Sequence, residues 1–280
     1  MFFIRGKRAL TPMVYAMDIE APLVIKHAEP GHFVMIRVNQ NGERIPLTIA
    51  DVNPTHETLT IIFQVVGATT YQLSQLNIGD RISDCLGPCG NATELEGLHR
   101  VILVGGGVGC AILYPIAKKL ASMHTEVLTI IGFRDQSLVF LEDEFSRLSN
   151  RLITLTDDGS HGDKGLVTDA LADVLSIDSR FDRIIAIGPI PMMKKVSDVT
   201  RPYEIKTIVS MNPIMVDGTG MCGGCRIKVG DQMKFACVDG PDFDGHQVDF
   251  DQLMKRNLAY RSFEKESYDQ LKSKEDTHHE

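Results

Sequence analysis

The chain is predicted to fold as a small antiparallel β-barrel, then a doubly wound α/β domain, then a short cysteine-bearing segment. Three observations carry that prediction. The first hundred residues hold short β-branched and apolar runs broken by turn signals, with no long helical pattern. From about residue 100, wholly apolar runs alternate with amphipathic helical stretches, as in a parallel sheet covered on both faces. After Val209 the pattern changes again. Residues 211–240 hold six glycines and three of the six cysteines, with little apolar sequence from which to build a core. The expected boundaries are 1–98, 99–210, 211–248 and a C-terminal helix and tail over 249–280.

In the barrel region, strands are expected at 32–38, 46–51, 58–66 and 81–86, punctuated by Pro30-Gly31, Asn41-Gly42, Asn53-Pro54 and Gly79-Asp80. One short helix is expected at about 69–76. The second region opens with the run Val101–Val104, followed by a helix at 110–123, a strand over Val127–Gly132 and an amphipathic stretch at 138–149. Further strands are expected at 152–155 and 183–187, helices at 166–175 and 190–198, and a last helix at 249–262.

A length of 280 residues allows two domains with cores of their own. A hydrophobic fraction of 43% with 24% charged residues excludes a disordered or collagen-like chain. The balance of 29 basic and 37 acidic residues argues against nucleic acid as a partner, because phosphate binding needs a basic face. Half of the net charge of −8 lies in the last 40 residues, so the tail from about 265 is expected to be frayed or to face a partner. No apolar run reaches ~18 residues, so no membrane span is expected. The stretch Ala9–Met17 is broken by Thr11-Pro12, ends at Asp18 and does not read as a signal peptide. A cytoplasmic, reducing compartment is expected, where cysteines serve as ligands, reactive thiols or core residues.

Gly105, Gly106, Gly107 and Gly109 follow a predicted strand and open a predicted helix. Glycine lets a pyrophosphate approach the backbone, and the helix N-terminus offers unpaired N–H groups to it. Cys110 stands where a strict G-x-G-x-x-G would end, and a purely structural turn is the alternative. At the end of the next strand, Asp135 would suit the ribose hydroxyl of NAD and Arg134 the phosphate of NADP. The two cues conflict, and a solvated charge pair is a third reading.

Cys222 and Cys225 stand two residues apart, and Cys237 follows after eleven more. Asp217 precedes Cys222 by five positions, which keeps the C-x4-C-x2-C frame of plant-type 2Fe–2S proteins with aspartate first. Zinc and a dithiol redox pair are the alternatives, and the frame with its glycines favours the cluster. Asp217 before a glycine also reads as a turn residue. Cys85, Cys89 and Cys110 lack the spacing and read as small core or loop residues. Arg44-Ile45-Pro46-Leu47-Thr48 offers a cation, a rigid turn and a hydroxyl, or else a surface arginine before an edge-strand proline.

R-x-P-L-T followed by a G-G-G-x-G turn resembles the ferredoxin–NADP reductase superfamily, in which an FAD-binding barrel is joined to a Rossmann-like NAD(P)-binding domain. The added cysteine segment resembles the electron-transfer subunit of dihydroorotate dehydrogenase, where the first ligand is normally Cys. The runs Asn212–Cys225 and Phe235–His246 are closer to the small-subunit family of NADH-dependent ferredoxin:NADP oxidoreductases. The resemblance covers about residues 5–262.

It implies that Arg44 reaches the FAD phosphates, with Pro46, Leu47 and Thr48 beside the flavin. Gly67, Thr69 and Thr70 match a second FAD phosphate element. The glycines at 105, 106, 107 and 109 match the nucleotide turn. Asp157-Asp158-Gly159 and Gly188-Pro189 fall where NAD(H) or NADP(H) lies, and Asp217, Cys222, Cys225 and Cys237 match the 2Fe–2S ligands. The implied function is transfer of electrons between NAD(P)H, FAD and the cluster to a larger flavin and iron–sulfur subunit, in an electron-bifurcating complex that reaches ferredoxin through that subunit. A dihydroorotate dehydrogenase subunit and a non-catalytic scaffold are the alternatives. No general acid or base is expected; His161 and His246 read as loop residues.

Overall fold

The computed structural model describes residues 2–276. The first sheet comprises β1 (Phe2–Thr11), β2 (Val14–Glu20), β3 (Phe33–Arg37), β4 (Ile45–Asn53), β5 (Thr58–Gln64), β6 (Arg81–Ile82) and β7 (Asp84–Cys89). Its order is β6-β1-β2-β5-β4-β3-β7, and its strand pairs are antiparallel. The edge strands β6 and β7 are separated in sequence by Ser83 alone, whose amide donates to Arg37 O, so the barrel nearly closes. Two short helices, α1 (Pro22–Ile25) and α2 (Ala68–Gln75), flank it.

Alternation along β3 decides what the barrel buries. Val34 and Ile36 point inward to Ile19, Leu59, Ile61 and Phe63. Phe33 and Met35 point outward into a second core, which they share with the C-terminal segment. That second core lies against the α/β domain and holds the pieces together.

The α/β domain runs β8 (Arg100–Gly106), α3 (Gly109–Ser122), β9 (Glu126–Phe133), α4 (Glu142–Leu148), β10 (Arg151–Thr156), β11 (Asp163–Lys164), α5 (Val167–Ile177), β12 (Arg183–Ile187), α6 (Ile190–Thr200) and β13 (Thr207–Ser210). The chain ends with the hairpin β14 (Arg226–Val229) and β15 (Gln232–Phe235), then β16 (Asp242–Asp244), α7 (Phe250–Leu258) and α8 (Arg261–Asp276). The second sheet has the order β11-β10-β9-β8-β12-β13-β16, and β16 is its antiparallel strand. Strand order reverses between β8 and β12, and in such sheets ligands bind beyond the C-terminal ends of the strands at that point.

The architecture is the predicted barrel plus α/β domain, with several differences in detail. The barrel starts at Phe2, where no strand was expected. The stretch 138–149 divides into a 3-10 turn at Gln136–Leu138 and α4, because Leu141 takes a left-handed conformation between them. The single helix expected at 249–262 is two helices meeting at residues 259–260. The tail from 265, expected to be frayed or to face a partner, is part of α8, which packs against α2 with Tyr268 edge-on to Tyr71 at 5.7 Å; residues 277–280 lie outside the described residues. The cysteine segment does not stand alone either. β16 extends the parallel sheet, and Cys225, Cys237 and Ala236 are buried with Met35.

Candidate functional site

Arg44, Pro46 and Thr48 alternate along the start of β4, and register sets Pro46 opposite Met35 and Thr48 opposite Phe33. Leu47 packs toward the barrel core, so alternation turns the other three to the outer face. Arg44 donates from Nη2 and Nε to Asp84 Oδ2 at 2.8 and 3.0 Å, and Arg37 donates to Asp84 Oδ1 at 3.2 Å. Burial opposes the charge on Asp84, but the hydrogen bonds from Arg37 and Arg44 outweigh it and lower its pKa. Two guanidinium groups on one carboxylate leave this corner net positive, as a diphosphate needs. Asp84 and Arg37 were missed in sequence, and no local motif carries them, since the arginines lie 47 and 40 residues before Asp84.

Gly67 caps α2 in an extended conformation with open space around it. Thr70 Oγ1 accepts the amides of Val66 and Gly67 at 3.0 and 3.1 Å, so its hydroxyl folds the turn. The first N–H groups of α2 then point out beyond Gly67, available to an anion.

The glycine turn and Gly188-Pro189 were predicted separately and the fold brings them together. A Cβ on Gly109 would stand 2.3 Å from Ile187 O, and one on Gly106 would stand 3.1 Å from Pro189 Cδ. The glycines thus let β8 and its turn pack directly against the turn into α6, at the switch point. Asp157 and Asp158 follow β10, with their amides on Phe133 O and Arg134 O at 3.0 and 3.3 Å. Asp158 accepts from Ser160 N and Oγ, and Gln136 N donates to Ser160 Oγ at 2.8 Å. Asp158 is thus tied into the loop, while Asp135 caps the 3-10 turn through Ser137 N and Oγ. His161 Nε2 lies 2.7 Å from Glu142, and His246 Nε2 lies 2.9 Å from Thr200 Oγ1.

The four residues of the cysteine segment form two pairs. Cys225 Sγ is 3.2 Å from Cys237 Sγ, and both side chains are 1% exposed. Asp217 Oδ2 accepts Cys222 N at 2.8 Å and Oδ1 accepts Thr219 N at 2.7 Å. The Thr219 and Cys222 amides outweigh burial and keep the Asp217 carboxyl below its ordinary pKa. Burial, then the neighbouring Cys225, pushes the Cys237 thiol up to about 12, and Gly220 N and Asp217 lie close enough to act on it as well. Among the described residues, no three His, Cys, Asp or Glu side chains converge on one point, as a single zinc ion would require. The loop is seated on the barrel, because a Cβ on Gly218 would stand 2.6 Å from Met35 Cγ.

A barrel, a doubly wound sheet with a glycine turn at its switch point and a cysteine loop on the barrel wall define a ferredoxin-reductase-type oxidoreductase fold with an iron–sulfur segment. The ferredoxin–NADP+ reductase of Plasmodium falciparum shares the two-domain fold at a TM-score of 0.57 and 15% identity, over 71% of this chain and 88% of that one. Residues 212–249 match the iron–sulfur cluster binding domain of dihydroorotate dehydrogenase B. The electron transfer subunit homolog of dihydroorotate dehydrogenase B (NAD(+)) from Thermotoga maritima is 49% identical over 92% of this chain and 91% of its own length. The electron transfer subunit from Shouchella clausii is 35% identical over 84% of this chain and 92% of its own. The chain belongs to this family of electron-transfer subunits. A chain of NADH-dependent reduced ferredoxin-NADP oxidoreductase, solved in work on flavin-based electron bifurcation, matches at a TM-score of 0.91 and 46% identity, over 97% of this chain and 98% of that one. The cofactors of this fold and family are FAD, a 2Fe–2S cluster and NAD(H).

Proposed function

We propose that this chain carries electrons between NAD(H), FAD and a 2Fe–2S cluster, and hands them to a larger flavin and iron–sulfur subunit in an electron-bifurcating complex that also serves ferredoxin. One observation carries the reading. Met35 touches the cysteine loop at Gly218 and is paired across the ladder with Pro46 of the flavin motif, so the two expected redox sites are one strand apart. When bound, FAD takes up a hydride as an electron pair and the cluster carries one electron at a time.

The protein binds and orients. Arg44 and the start of α2 hold the FAD diphosphate, with Pro46 and Thr48 at the flavin. Gly105, Gly106, Gly107 and Gly109, with Gly188-Pro189, accept the nicotinamide nucleotide. Asp135 reads its ribose, which favours NAD(H). Asp217, Cys222, Cys225 and Cys237 would hold the cluster, for which the Cys237 thiol would lose its proton. The bifurcating assembly draws support from the 46% identity and 0.91 TM-score of that match, against 35% identity for the Shouchella clausii electron transfer subunit, while the 49% identical Thermotoga maritima protein is named only as a homolog of such a subunit.

Anaerobically purified chain is expected to show a flavin spectrum, a 2Fe–2S EPR signal after reduction, and NADH-dependent dye reduction. A colourless protein containing zinc overturns the reading. Co-purification with a dihydroorotate-oxidising subunit selects the alternative partner.

A further inference from the structure

Two carbonyls of the loop that joins Cys222 to Cys225, those of Gly223 and Gly224, are held by guanidinium groups. Arg226 Nη1 donates to Gly223 O at 3.0 Å. Arg256 Nη2 donates to Gly224 O at 2.9 Å and its Nη1 to Arg226 O at 2.7 Å. Arg256 therefore grips the carbonyl on each side of Cys225. A trans peptide points its N–H opposite to its C=O, so holding the Gly223 and Gly224 carbonyls turns the Gly224 and Cys225 amides to the other side of the loop. Gly224 N already donates to Cys222 Sγ at 3.4 Å.

Arg256 comes from α7, far along the chain but fixed in space. Asp249 caps that helix by accepting Gln252 N at 2.9 Å, and the Asp249 amide donates to Lys228 O at 2.9 Å. Phe250 and Leu253 bury its inner face at 5% and 2% exposure. Burial lowers the pKa of Arg256, with Arg226 adding to this, but a guanidinium keeps its charge throughout the working range.

We propose that Arg256 is the positioning and potential-setting residue of the iron–sulfur centre. It turns the amides around Cys225 toward the cluster and fixes a permanent positive charge beside that ligand. The proposal rests on the cluster reading above. Reduction adds an electron to an anionic centre, and hydrogen bonds and net charge near the sulfurs set how favourable that is. A nearby cation and inward amides both favour the reduced form.

The test is an EPR-monitored redox titration of the full-length, anaerobically purified chain and three variants. Arg256→Met is expected to lower the reduced-to-oxidised ratio of the cluster about tenfold at a fixed poise, a shift of ~59 mV to more negative potential for one electron. Arg256→Lys keeps the charge and is expected to recover most of that ratio. Lys255→Met removes the exposed neighbouring charge and is expected to leave the ratio unchanged. A wild-type potential in a loaded Arg256→Met overturns the proposal, as does an equal shift in Lys255→Met. If Arg256→Met holds no cluster, loading in Arg256→Lys at the wild-type potential supports the proposal, and failure of both overturns it by reducing Arg256 to packing. Absence of any 2Fe–2S signal in the wild type is a different result, and refutes the cluster reading instead.

Discussion

Gly218 of the cysteine loop stands against Met35 of the barrel so closely that a Cβ would lie 2.6 Å from Met35 Cγ and 3.6 Å from Cys89 Sγ. The backbone there has φ +78°, which L side chains rarely adopt. Gly218→Ala meets both obstacles, about 1–2 kcal/mol for the left-handed backbone and about 1–3 kcal/mol for overpacking. The expected outcome is a Tm lower by several degrees and less than half the wild-type iron per chain. Full iron content at the wild-type Tm would mean that the Met35 contact does not seat the loop.

Arg44 is proposed to meet the FAD diphosphate, and Asp84 holds it in position through Nη2 and Nε. Arg44→Met keeps the length of the side chain and leaves Arg37 on Asp84. A charge-assisted hydrogen bond contributes about 1.5–3 kcal/mol, so the FAD dissociation constant should rise roughly tenfold or more. Flavin retained after dialysis measures it. Unchanged retention would assign the diphosphate to α2 and Arg37.

How much of this was legible in sequence follows from the range of each signal. The glycine turn at 105–109 and the 217–225 frame are local, so their spacing alone located them. The pairing of Cys225 with Cys237 needed the β14–β15 hairpin to fold back, and Ala236 N donates to Cys225 O at 3.1 Å as it does so. Asp84 was invisible because its partners are on other strands. α8 was misread because its surface is strongly polar, and its contact with α2 joins segments far apart in the sequence. β1 was missed because Arg5, Lys7 and Arg8 fall on both of its faces and mask the alternation.

Asp135 accepts from Ser137 N at 2.9 Å through Oδ1, and an asparagine can keep that cap. Asp135→Asn therefore removes charge without unfolding the turn. With Asp135 as the ribose reader, the KM for NADH is expected to rise roughly tenfold, by loss of a charged hydrogen bond, with kcat within twofold. The preference for NADH over NADPH should shrink in step. Steady-state dye reduction with both nucleotides checks it, and an unchanged ratio would leave Arg134 as the discriminating side chain.

Asp242 is buried where β16 meets β13, and its Oδ2 accepts Thr93 Oγ1 at 2.6 Å while Oδ1 has no partner. Burial raises its pKa, against hydrogen bonds from Thr93 and Ser210 that lower it. The folded state thus holds the proton more tightly than the unfolded state. That contribution is greatest below the ordinary carboxylate value and is lost as pH rises to the raised folded value, by up to ~1.4 kcal/mol per pH unit. Asp242→Asn abolishes the titration, so its stability relative to wild type should be more favourable at pH 8 than at pH 5. Urea unfolding at the two pH values measures it, and a difference of the opposite sign would place the charged form at an advantage.

α8 lies along α2, the helix whose first turn is expected to receive the FAD diphosphate, and Tyr268 meets Tyr71 edge-on at 74° between ring planes. An aromatic pair of this kind contributes about 0.5–1.5 kcal/mol beyond its buried area. Its loss removes a contact that steadies α2, and an anion site built of backbone N–H groups works only while those groups converge. A chain ending at Tyr260 keeps α7 and the Arg256 contacts on the cysteine loop. It is therefore expected to keep its iron and its EPR signal while releasing FAD several-fold faster on dilution, read from recovered flavin fluorescence. Tyr268→Ala should give a smaller change in the same direction. Equal release rates in all three proteins would mean that α8 steadies a surface other than the flavin site, whereas loss of iron together with FAD would mean that α7 and α8 act as one clamp across both sites.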